Sequence, residues 1–415
     1  MARLLQINPV IRENTSTGRI MRELGEYAMA HGWESYIAYS KGRDGIPSHS
    51  SKLIPVGSKW DIFVHGLMTR LFDRHGLASS HATRALIREI QRIHPDVIQI
   101  HNIHGYFINY KLLFRYLSRC EIPVVWTTHD CWLYTGHCYH YDAVGCQKWQ
   151  KCCEHCPQKT SFPASWVFDR SRKNFRDKRN AFTSCGKLTI VNISKWMQGE
   201  MQYSFLSGAR FRLIPNGIDV GVFHPVKNSS VAEKYGIDLT RPIVLFVASI
   251  WSREKGLEDV NYLAGQLPKE VQIVMVGGLA RNQKQTLCPR IMPINRTSDT
   301  AELAALFSTA DVFVNPTYQD NYPTVNMEAQ ACGTPVVTYA SGGSAETVST
   351  LTGVVVPKGN VEGLSVAIIG ILNEPDRFPR KTCREYAVRH FDKIARWGEY
   401  LNLYETLINE NSATR

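Results

Sequence analysis

No apolar run in these 415 residues reaches the roughly 20 residues that a membrane-spanning helix needs. The longest, such as Ile243 to Trp251, are about half that length, so no transmembrane segment is expected. Arg3, Arg12 and Glu13 interrupt the N-terminus too early for a secretory leader, which points to a cytoplasmic protein. Internal repeats at solenoid periods and low-complexity tracts are missing too, and this argues against a stacked-repeat architecture. Acidic residues are scarce in one region only. Residues 1–215 hold 16 Asp and Glu against 29 Lys and Arg, whereas residues 216–415 hold 21 against 19. The net charge of +11 therefore arises wholly in the first half, which suits an anionic partner: nucleic acid, an anionic membrane surface or a phosphate-bearing acceptor.

What is present describes a folded protein, 44% apolar and 20% charged, long enough for two domains. Short apolar runs separated by helix-like stretches recur at Leu4–Ile7, Ser35–Tyr39, Val97–Ile100, Val124–Thr127 and Leu188–Ile193. The second half repeats the style at Ile243–Ala248, Val271–Val276, Val312–Asn315, Val336–Tyr339 and Val354–Val356. Non-alternating strands between helices predict parallel sheets covered on both faces, hence two doubly wound, Rossmann-like α/β domains. The turn Asn216-Gly217-Ile-Asp219 sets the boundary, giving domains 1–216 and 217–385. Phe391, Ile394, Trp397, Leu401, Tyr404 and Ile408 have helical spacing, so residues 386–415 are read as a helix docked on one domain or across both.

The densest motif is Asp320-Asn-Tyr-Pro-Thr-Val-Asn-Met-Glu328-Ala-Gln-Ala-Cys-Gly333-Thr-Pro335. Pro323 and Thr324 suit a first helical turn, and Gly333 with Pro335 stops the helix before a new strand. Glu328 then lies about one turn into a helix whose start offers unpaired N–H groups and a partial positive charge to an anion such as a diphosphate. The two carboxylates are left to accept hydrogen bonds from hydroxyls.

This segment, with Asn216-Gly-Ile-Asp219, Lys255-Gly256, Gly277-Gly278, Ala310-Asp311-Val-Phe-Val314 and Thr128-His129-Asp130, resembles the family 4 glycosyltransferases of the GT-B fold over nearly the whole chain. The stretch from Trp126 to Pro157, with Thr135-Gly136-His-Cys138, is similar to the bacterial colanic-acid and capsular-polysaccharide branch. The resemblance implies two Rossmann-like domains facing a cleft, the first for the acceptor and the second for a nucleotide sugar. It implies retaining transfer to a glycan or a lipid-diphosphate-linked sugar, with no cofactor required for catalysis. It gives Glu328 the ribose hydroxyls and Asp320 the donor sugar, with Asn321, Tyr322, Pro323 and Thr324 lining the donor site. Asp320 is one methylene shorter than the family's usual Glu.

A departing diphosphate needs positive charge, and Arg253 and Lys255, just past a strand, are the candidates. The family places its Arg where this chain has Ile250 or Ser249, so Arg253 is a substitute for it; an ordinary surface pair is the plainer alternative. Gly18, in Asn14-Thr-Ser-Thr-Gly18-Arg19, lets backbone approach a phosphate or acceptor, and equally suits a plain strand-to-helix turn. Gly277 carries the same two readings, the resemblance placing it beside the nucleotide. His129 follows a strand where open α/β sheets put their ligand crevice, and the resemblance places it at the donor sugar.

Six of eleven cysteines fall between residues 131 and 156. Cys138, Cys146, Cys153 and Cys156 close in a C-x2-C, which in a reducing compartment fits structural zinc or free buried thiols. This insert spans about residues 131–157. Trp60, Phe63, Leu67, Leu71 and Phe72 have helical spacing beside Lys59, Arg70 and Arg74, the pattern of a helix lying on an anionic membrane or of one packing inward. Two rivals stand beside the transferase reading: a nucleotide-sugar 2-epimerase on the same fold, and a zinc-supported nucleic-acid-binding protein. The second is disfavoured because the cysteines lack finger spacing with a recognition helix.

Overall fold

The computed structural model describes residues 1–12, 15–42, 51–227 and 230–413; Glu13 and Asn14, named above, lie outside that set. The chain divides into two compact units, Met1–Ile214 with Trp397–Arg415, and Pro215–Arg396.

The first unit is built on seven strands: β1 (Arg3–Ile7), β2 (Glu34–Tyr39), β3 (Lys52–Pro55), β4 (Val97–Ile100), β5 (Val124–Thr128), β6 (Leu188–Asn192) and β7 (Arg210–Leu213). They lie in the order β3-β2-β1-β4-β5-β6-β7, every pairing parallel. The second unit has six: β8 (Ile243–Ile250), β9 (Gln272–Gly278), β10 (Ile291–Ile294), β11 (Val312–Asn315), β12 (Val336–Tyr339) and β13 (Gly353–Val356). Their order is β10-β9-β8-β11-β12-β13, again all parallel. The two doubly wound sheets expected from the apolar runs are thus present. The inner strands β4, β5, β6, β11 and β12 are buried at every residue, which is why they read as unbroken apolar runs.

Topology fixes where ligands go. In each sheet the strand order reverses at one point, between β1 and β4 in the first and between β8 and β11 in the second. Open α/β sheets bind ligands outside the strand C-termini at such points, because the connections there diverge and leave a crevice.

The C-terminal segment differs from the single helix expected over 386–415. Two helices, Arg380–Phe391 and Lys393–Ala413, meet at extended Asp392. The break has a local cause: Phe391 O accepts from Ile218 N at 2.8 Å, and Lys393 N donates to Ile218 O at 3.0 Å. A strand-like bridge has taken the bonds that would have continued the helix. From Trp397 onward the second helix belongs to the first unit, where Tyr404 Oη donates to Gln99 Oε1 at 2.9 Å and Tyr400 Oη bonds Thr127 Oγ1 at 2.9 Å.

The basic aromatic helix, Lys59–Phe72, does not pack its aromatic side inward. Its buried residues are His65, Gly66 and Thr69, while Trp60 and Phe63 are 74% and 61% exposed. Val64, Leu67 and Phe72 are exposed as well.

Candidate active site

In the second unit the switch point carries the predicted charges. β8 ends at Ile250 and leads into a short turn, Arg253–Lys255, closed by Gly256; β11 ends at Asn315 and leads into the loop bearing Asp320. Lys255 Nζ lies 2.8 Å from Asp320 Oδ2, both side chains partly buried. The two turns are tied together by backbone: Tyr318 N donates to Glu254 O at 2.8 Å, and Thr317 Oγ1 donates to the same carbonyl at 3.3 Å. Gly256 has φ +77°, and a Cβ there would meet Pro316 O at 2.2 Å, so the close approach of these turns needs glycine. Arg253 is exposed on the same turn, and Ile250, one of the two positions compared with the family's Arg, is 69% exposed.

Beyond Asp320 the chain enters the helix Thr324–Ala331 through Pro323 at its N-cap. Proline has no side-chain oxygen to accept a bond, so the first-turn N–H groups receive no side-chain cap. Asn321 and Tyr322 are buried beside it, and burial raises the Tyr322 phenol's pKa. Glu328, one turn in, is buried. The helix is clamped by residues that the motif did not flag. Buried Asn326 accepts from Asn315 Nδ2 at 2.8 Å and donates to Thr347 Oγ1 at 2.9 Å; Gln330 Nε2 donates to Thr347 O at 2.7 Å. These amides hold the helix start against the end of β11 and the loop after β12.

Two predicted glycines have packing reasons. Gly277, with φ +137°, lies against β8, where a Cβ would meet Ala248 O at 2.0 Å. Gly18, in the first turn of the helix Ser16–Ala30, would place a Cβ 2.4 Å from Arg12 O. Each satisfies the plainer of its two readings by itself.

In the first unit His129 follows β5, but its bonded neighbour is another histidine. His101, at the end of β4, places Nδ1 3.2 Å from His129 Nε2 and Nε2 3.0 Å from Gln6 Oε1 on β1. The rings stack at 5.5 Å. Asp130 turns to His104 instead, at 2.6 Å. Burial pushes His129 down to about 4 and His101 well below the usual imidazole range, so His129 is a neutral imidazole near pH 7. Sequence reasoning missed Gln6, His101 and His104. For His101 the available signal was the one used for His129, a polar residue directly after a buried strand; Gln6, inside β1, and His104, farther along the loop, carried no such signal.

Cys138, Cys146, Cys153 and Cys156 line one small cavity. Among the described residues, no group of three or more His, Cys, Asp or Glu is arranged to hold a metal ion as the side chains stand. No described helix is long and apolar enough to cross a membrane.

Two parallel Rossmann-like units, the second with charged residues at its switch point, define a glycosyltransferase of GT-B architecture. Residues 17–222 match the model described as Glycosyltransferase Family 4, and residues 241–374 match Glycosyl transferases group 1; the chain belongs to the family 4 glycosyltransferases. It is 26% identical over 361 residues to WcaC of Escherichia coli K12, assigned as a colanic acid biosynthesis glycosyl transferase, covering 83% of this chain and 84% of that one. An alpha-maltose-1-phosphate synthase of Mycolicibacterium smegmatis is 30% identical over 223 residues, 48% of this chain and 56% of that protein. Among solved structures, sucrose-phosphate synthase from Thermosynechococcus elongatus aligns at TM-score 0.74 and 20% identity, covering 99% of this chain and 100% of that one. HepE from Anabaena, in complex with UDP and glucose, aligns at TM-score 0.65 and 15% identity, over 98% and 100% of the two chains.

Proposed function

We propose that the protein moves a sugar from a nucleotide-diphosphate donor, with retention of anomeric configuration, to a glycan or lipid-linked sugar acceptor in the assembly of a surface polysaccharide. The observation that carries the reading is the Lys255–Asp320 pair at the switch point of the second unit, one loop ahead of an uncapped helix start. The likeness to WcaC supports the polysaccharide context.

In this reading the donor diphosphate takes Lys255 away from Asp320. The ammonium and the first-turn N–H groups of Thr324–Ala331 then neutralise charge as the glycosidic bond breaks. Asp320, released, accepts from the donor sugar's hydroxyls, and Glu328 accepts from the ribose. Arg253 reaches the phosphates from the same turn. His129, being neutral, serves as a hydrogen-bonding group to the sugar rather than as a cation or a general base. Gly18 and Gly277 let backbone approach the donor in addition to meeting their packing demands. No metal takes part in the transfer.

The acceptor partner brings in the membrane. The helix carrying Trp60 and Phe63 meets a second exposed run, Trp166, Val167 and Phe168, at its C-terminal end: Phe72 stacks on Phe168 at 5.8 Å, and Trp166 N donates to Arg70 O at 2.7 Å. With Lys59, Arg70 and Arg74 alongside, and the positive excess of residues 1–215, this aromatic and cationic face suits an anionic bilayer surface.

The experiment that tests the function is proton NMR of the reaction with a nucleotide sugar and an acceptor pool. An axial donor linkage should give an axial product, and donor should be consumed only when acceptor is present. Inversion contradicts the retaining assignment. Conversion of the donor without acceptor favours the 2-epimerase.

A further inference from the structure

The four cysteines are left unused by glycosyl transfer, and so is their neighbour His137, which lines the same cavity. The cavity encloses about 10 Å³, on the order of the room that one water molecule or ion takes up. We propose that it is a structural zinc site in which Cys138, Cys146, Cys153 and Cys156 bind the metal as thiolates while buried Lys178 offsets part of the charge of the centre.

Sulfur geometry is the first support. The Cys138 and Cys156 side chains are hydrogen-bonded to each other, and Gly136 N donates to Cys153 Sγ at 3.2 Å. A backbone N–H aimed at sulfur is the outer contact that orients a thiolate ligand. As the side chains stand, these sulfurs make their contacts with each other and with backbone, and they form no metal cage.

Charge is the second, independent support. Zinc with four thiolates carries a net charge of about −2. A buried ammonium stands beside the cysteines. His137 does not add to it, because its Nδ1 lies 2.7 Å from the buried carboxylate of Asp73. Lys178, 1% exposed, spends its donors on neutral carbonyls, Trp132 O at 2.6 Å and Thr135 O at 2.9 Å, and lies 3.5 Å from the Trp132 ring centroid. A buried ammonium held this way is costly next to neutral thiols and favourable next to an anionic centre. Metal binding would expel the thiol protons to solvent and fix the segment that follows β5.

Zinc is to be measured by elemental analysis of the full chain, purified under reducing conditions without chelator. The expected result is about one zinc per chain. The Cys153→Ser/Cys156→Ser variant should lose nearly all of it, while Cys185→Ser and Cys383→Ser keep it. Because the double variant could unfold, wild-type protein is also stripped and loaded with cobalt(II), which should give the intense charge-transfer absorption of thiolate ligation. Absence of zinc from the reduced wild type together with absence of that absorption overturns the proposal. So does zinc retained in a folded double variant, or a zinc-free protein whose Cys138 and Cys156 form a disulfide.

Discussion

Lys255 Nζ and Asp320 Oδ2 stand 2.8 Å apart on turns that leave neighbouring strands β8 and β11, with their backbones joined through Glu254 O. In the absence of a donor, Asp320 is the anion that holds the ammonium in place. Under the proposed function a bound diphosphate competes for it, leaving Lys255 as the cation for the phosphate and Asp320 as an acceptor for the sugar. Lys255→Ala should therefore act mainly on turnover, lowering kcat by about 10²- to 10³-fold, with a smaller change in KM. Steady-state kinetics, with circular dichroism to confirm folding, checks the split; a change confined to KM would place Lys255 in binding only.

Asp320 is one methylene shorter than the Glu usual in the family, so under the proposed function it is the position expected to bear on donor-sugar choice. Asp320→Glu should change the ratio of kcat/KM between two donor sugars carrying the same nucleotide by about 10-fold or more. A uniform loss with all sugars would mean that Asp320 only positions Lys255.

The histidines of the first unit set an acid limit on stability. Burial pushes His129 down to about 4 and His65 down to about 3, and it holds His75 and His101 well below 6.5. The folded state therefore refuses protons that the unfolded chain accepts below pH of about 6.5. Stability from these groups is complete above that pH and is lost as pH falls from about 6.5 toward 4. Melting temperature followed across this window should fall steadily, and His129→Gln should flatten the fall. An unchanged slope would mean that His129 takes up its proton in the folded state.

Part of this was legible in the sequence, and for a physical reason. Strands buried on both faces, such as β4, β5 and β11, read as apolar runs, so the two sheets were visible. Two edge strands were not: β3 and β10 each contain a proline, and Lys52 and Pro55 of β3 and Pro293 of β10 face solvent, whereas the edge strand β13 was read at Val354–Val356. Within the site, Asp320 and Glu328 could be read because they share one segment. The His101–His129 contact joins residues 28 apart on adjacent strands, so it became visible only once β4 and β5 were paired. The outward turn of Trp60 and Phe63 was undetermined, because helical spacing defines a face without saying what it meets.

That outward face makes its own prediction. Flotation of the full chain with vesicles containing anionic lipid should bring the protein up with them, and Trp60→Ser/Phe63→Ser should abolish this without changing the circular dichroism spectrum. Equal recovery with neutral vesicles, or wild-type flotation of the variant, would contradict a lipid-facing role.

The central claim, that the switch point of the second unit grips a nucleotide sugar, is tested most directly by thermal shift against UDP-, GDP-, ADP- and dTDP-sugars. A ligand bound only by the native state raises the melting temperature. One nucleotide class should raise it by about 2 °C or more, and Glu328→Ala should remove most of that rise while remaining folded. No shift with any donor, or an undiminished shift in Glu328→Ala, would contradict the account.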